Sequence, residues 1–97
     1  MLKSFNLDVF KSEYASSFAR YELEYKSFKE GDFGSLDQVV FNSNKKGGNI
    51  DFWGMDWLGI FVWDYESNEE LLNILLDPSN EKEKVEAFRV LLDIIAR

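Results

Sequence analysis

With 97 residues, 45% of them hydrophobic and 16% aromatic, the chain has the size of one globular domain, residues 1–97, and not of two. It contains no cysteine and no histidine, which excludes disulfide frameworks, thiol chemistry, Cys/His zinc sites and every catalytic constellation built on imidazole. The net charge is −7, and residues 47–81 carry eight acids and no base, a balance that opposes nucleic acid and anionic membrane as partners and favours a basic one.

No apolar run approaches the ~20 residues of a spanning helix, and the start, MLKSFNLDVFK, lacks the charged, apolar and small-residue succession of a signal peptide. A cytoplasmic protein is expected. From Leu7, the large apolar residues Leu7, Phe10, Tyr14, Phe18, Tyr21, Tyr25 and Phe28 are three or four apart, the one-face pattern of an amphipathic helix. Asn6 or Asp8 would cap it, and Gly31 with Gly34 would stop it. Tyr21, Leu23 and Tyr25 also alternate with Glu22, Glu24 and Lys26 as a strand would, but the longer spacing favours helix to about Glu30.

Leu36–Ser43, with Val39, Val40 and Phe41, reads as a first strand, and Asn42–Asn49 as a turn in which Gly47 and Gly48 are free to take positive φ. Ile50–Trp53 and Trp57–Tyr65 then form a hairpin through Gly54, Met55 and Asp56. If Trp53 pairs with Trp57, Phe52 faces Leu58, Asp51 faces Gly59 and Ile50 faces Ile60. One face becomes aliphatic, with Ile50, Phe52, Leu58, Ile60 and Val62; the other carries Asp51, Trp53, Trp57, Gly59, Phe61 and Trp63. Both faces are apolar enough to expect helices on each. Ser67 with Glu70 has the form of a capping box opening a short Leu-rich helix, Asp77 and Pro78 break it, and Asn80 with Glu83 restarts a helix with Val85, Phe88, Leu91, Leu92 and Ile95 on one side.

Asp51, Asp56, Asp64 and Glu66 lie on or beside the hairpin, but their spacing matches no metal loop or acid/base pair, so no catalytic residue, metal or cofactor is expected. As a binding surface the same acids make better chemical sense. An inhibitor of a nucleic-acid-processing enzyme must occupy a site built for phosphates, and carboxylates pair with the Arg and Lys groups that hold them. Trp63 belongs to the core, whereas Trp53 and Trp57, flanking the turn, are divided between core and interface.

The run GNIDFWGMDWLGIFVWDYE, with the Leu-rich segment, the Asp-Pro break and the Lys/Glu-rich helix ending LLDII, resembles small immunity proteins of bacterial contact-dependent growth inhibition and related polymorphic toxin systems, over about residues 47–96. The resemblance implies a monomer that binds its cognate toxin one to one and blocks it, the toxin often being a nuclease. The expected toxin-binding residues, taken from charge and exposure, are Asp51, Trp53, Asp56, Trp57, Asp64, Glu66, Glu69 and Glu70. A small acidic secretion chaperone or adaptor, gripping its client in an apolar groove of a dimer, is the alternative. The expected fold is α+β: an N-terminal helix, a three-stranded antiparallel sheet with the hairpin at its centre, and two C-terminal helices.

Overall fold

The computed structural model describes residues 5–97; residues 1–4, where the stretch read for a leader begins, lie outside that range. Asn6 opens a short helical segment, its Oδ1 accepting from the Val9 amide at 2.9 Å to cap α1 (Leu7–Val9). The coil widens into a π turn, Phe10–Tyr14, and tightens into a 3-10 turn, Ala15–Phe18. There it ends. The helix expected to reach Glu30 gives way to β1 (Glu22–Phe28), because the alternation around Leu23 and Tyr25 suits a strand that pairs along its whole length with β2 (Leu36–Asn42). Leu23 and Tyr25 turn towards the helical layer, where Phe10 meets the Tyr25 ring edge-on at 6.5 Å.

The second correction lies after the hairpin. Ser67 and Glu70 cap no helix; they belong to the turn and start of β5 (Glu69–Leu76). Within EELLNILL, Leu72, Ile74 and Leu76 recur every second residue and face Val62, Ile60 and Leu58 of β4 (Leu58–Asp64). A helix here would have left the backbone groups along that side of β4 without ladder partners. A bulge between Val62 and Trp63 shifts the register by one, leaving Leu71 as the extra residue. The sheet is therefore five-stranded and antiparallel in the order β1-β2-β3-β4-β5, with one short N-terminal helical segment and one C-terminal helix, α2 (Glu81–Ala96), in place of three strands and two C-terminal helices.

The hairpin of β3 (Lys46–Trp53) and β4 has the expected register, Ile50 to Ile60, Asp51 to Gly59 and Phe52 to Leu58. The Trp53 amide donates to the Trp57 carbonyl at 3.1 Å and the Asp56 amide to the Trp53 carbonyl at 3.0 Å, which closes the turn with Asp56 at φ +67°. The preceding turn is shorter than expected. Gly47 and Gly48 lie inside β3 with extended backbone, and the reversal is made by Ser43, whose Oγ accepts from the amides of Lys45 and Lys46.

Both helical segments pack on the same face of the sheet, a correction to the expected cover on each. Phe10 lies 6.3 Å from Phe52, Phe18 lies 5.2 Å from Phe41, and Phe88 of α2 lies 6.2 Å from Phe52. Val39, Phe41, Ile50, Phe52, Leu58, Ile60 and Val62 form the sheet side of this core. The opposite face carries Glu24, Lys26, Gln38, Asn49, Asp51 and Asn73 at alternating positions. An apolar helix laid over those groups would strand them without water. Asn80 does not cap α2 through its side chain; it turns back to accept from the Asp77 amide at 3.0 Å.

Candidate functional site

The eight residues expected to bind a partner fall in three places. Asp56 and the two tryptophans sit at one end of the sheet, Asp64, Glu66, Glu69 and Glu70 at the other, and Asp51 between them on the uncovered face. The seven residues of β4 separate the two ends by about 20 Å, at roughly 3.4 Å per residue.

At the first end, Asp56 is already engaged. The buried Lys84 of α2 donates to the Asp56 carbonyl at 2.6 Å and stands 3.6 Å from its carboxylate, so the turn is tied to the helix below it. Lys84→Met, which keeps the stem and removes the ammonium, is expected to cost about 2 kcal/mol through the lost charge-assisted bond, read as a lower urea midpoint. An unchanged midpoint would free Asp56 for a partner. Trp53 and Trp57 are half-buried under residues 29–35: Phe33 stacks on Trp57 at 4.0 Å and meets Trp53 edge-on at 5.3 Å. A Cβ on Gly31 would lie 2.6 Å from the Trp53 ring, which shows how closely this loop's backbone lies on the indole. The Trp53 Nε1–H is buried and has no acceptor among the described residues.

At the other end, the Glu66 amide donates to Asp64 Oδ1 at 2.9 Å and, with Ser67 and the nearby Lys46, holds the Asp64 carboxyl below the usual aspartate range. Glu66, Glu69 and Glu70 are exposed, and Glu70 accepts from Asn73 at 2.9 Å. Among the described residues no group of three acids converges as a metal site would require.

The uncovered face joins the two ends. One cross-strand row reads Glu24, Val40, Asn49, Phe61 and Asn73; the next reads Lys26, Gln38, Asp51, Gly59 and Leu75. Tyr65 closes the face near the β4–β5 turn, its hydroxyl donating to Asn42 Oδ1 at 2.5 Å over Gly47. Beside it, Glu22, Glu24, Val40 and Asn42 contribute to an open hollow of about 540 Å³. Phe61 and Trp63 are half-buried, their rings 6.3 Å apart, and Leu75 is 52% exposed. Sequence reasoning put Asp51, Phe61 and Trp63 on one face, but it assigned Trp63 to the core, whereas the structure places it half-buried on the uncovered face and outside the core, and it missed Glu22, Glu24, Gln38, Asn49 and Leu75. The signal for Glu22, Glu24 and Leu75 was the period-two alternation of β1 and β5, each read as helix; Gln38 lies in a segment already read as a strand, and Asn49 in one read as a turn.

Compared with family models, curated proteins and solved structures, the chain matches none. Among the described residues no helix is long and apolar enough to cross a membrane.

Proposed function

We propose that this chain is an immunity protein: a cytoplasmic, stoichiometric inhibitor that docks the uncovered face of its sheet on the basic substrate surface of a cognate toxin domain, a nuclease being the best fit. It acts by binding rather than by turnover. One observation carries this reading, a sheet with a single packed face whose other face mixes aromatic and aliphatic side chains with Glu22, Glu24, Asp51 and Glu70. Lys26 is its one cation among the described residues and stands 3.9 Å from Glu24. A mixed polar and aromatic surface of this kind, with several acids and a single cation, is suited to a partner of the opposite sign. The resemblance of residues 47–96 to immunity proteins points the same way.

The test begins with the gene immediately upstream: a large secreted protein with a variable C-terminal domain is expected there, and that domain is co-expressed with the chain. The wild-type chain is expected to restore growth and to sediment with the toxin as a one-to-one complex. Glu24→Lys with Asp51→Lys should leave the circular dichroism unchanged and weaken the complex by about a hundredfold or more, with slower association at low salt. Failure to protect would overturn the inhibitor, and an obligate dimer holding an extended client segment would replace it with a chaperone.

A further inference from the structure

We infer that the centre of the uncovered face receives an arginine side chain of the basic partner, its guanidinium bound by Asp51 and its plane laid against Phe61. This rests on the docking surface proposed above and names the chemistry at its middle. Gln38 Nε2 and Asn49 Nδ2 both donate to Asp51 Oδ1, at 2.8 and 3.1 Å. These amides come from two strands and fix the carboxylate in one orientation. Oδ2 receives no donor from any described residue. A carboxylate with one oxygen held and the other bare is an acceptor arranged in advance, and an immobile acceptor loses little freedom when a donor arrives.

The neighbours suit a guanidinium. Gly59, directly across from Asp51, brings no side chain; a Cβ there would lie 3.4 Å from Oδ2. The carboxylate can therefore lie low against β4, next to Phe61, which is half-buried on the face opposite the core. The planar, weakly hydrated guanidinium can stack on such a ring while donating to a carboxylate, which the compact, strongly hydrated ammonium of lysine does less well. Among the described residues the one cation in this row, Lys26, stands 3.9 Å from Glu24.

The experiment is a titration of the isotope-labelled full chain with N-acetyl-arginine amide, followed by amide NMR, with the citrulline analogue as a neutral control of the same shape. Arginine is expected to move the side-chain amides of Gln38 and Asn49 and the backbone signals of Gly59 and Phe61, and citrulline to leave them in place. Asp51→Asn should weaken the response about tenfold or more, and Phe61→Leu should weaken it several-fold while the spectrum stays dispersed. Equal responses to arginine and citrulline, shifts centred on Asp64–Glu70, or shifts untouched by Asp51→Asn would overturn the assignment. Protection from the toxin by a chain in which the arginine response is absent would reject this site and keep the inhibitor; an intact response without protection would do the reverse.

Discussion

Gly48→Ala is expected to cost about 3 kcal/mol of stability, at the upper end of what over-packing does, and to show as a large fall in urea midpoint or as loss of soluble protein. Gly48 sits in β3 between Phe41 and Val62, facing the core. A Cβ there would overlap the carbonyl oxygen of Phe61 and come 2.9 Å from Phe41 Cζ. The ring could rotate away; the carbonyl belongs to the β3–β4 ladder and could move only by opening it. Gly59→Ala is the internal control. Its Cβ would meet only Asp51 and Leu75 at 3.4 Å or more, so it should cost less than about 1 kcal/mol. Equal costs at the two positions would refute the explanation by close backbone approach.

Phe88→Ala should be more damaging still, by about 4 kcal/mol, out of the roughly 5–15 kcal/mol that hold a domain of this size together. Phe88 is 2% exposed and is the point where three parts of the chain meet. Phe5 stacks on it at 4.7 Å, Tyr14 lies at 5.0 Å, and Phe52 of the sheet lies beneath at 6.2 Å. Truncation would leave a cavity that none of the three could fill without leaving another partner. Val85→Ala on the same helix, 54% exposed, should change stability by no more than about 0.5 kcal/mol. Thermal or urea unfolding of the pair measures the contrast directly.

Where local patterns were unambiguous, sequence reading reached the structure. The hairpin register followed from three turn residues between two alternating runs, and a slip of one residue would have moved Ile50 and Phe52 out of the core. The terminal helix followed from its three-and-four spacing. β1 was misread because Tyr21 and Tyr25 satisfy both periods, and the choice lay in ladder bonds to β2 that spacing within the segment does not show. β5 was misread because Ser67 and Glu70 imitate a cap, although a run as short as EELLNILL suits a strand better than a helix. Gly47 and Gly48 looked like turn residues when what needs their missing side chains is Tyr65 and the Phe61 carbonyl. The acids close in sequence proved to be distributed over both ends of a strand, and the amides that hold Asp51 come from β2 and from within β3, invisible until the strands are side by side.

The order β1-β2-β3-β4-β5 also says something about how the molecule comes together in time. Every strand pairs with its immediate predecessor, so each addition closes only a short loop, and the sheet can zip from hairpin to hairpin without waiting for a distant segment to find it. The burial of its apolar side is different. Phe5 and Tyr14 come from one extreme of the sequence and Phe88 from the other, and only their meeting seals the face. The topology thus sets short loop closures along the sheet against one long-range closure over its apolar face, and the entropy of that last closure is what the aromatic cluster around Phe88 must offset.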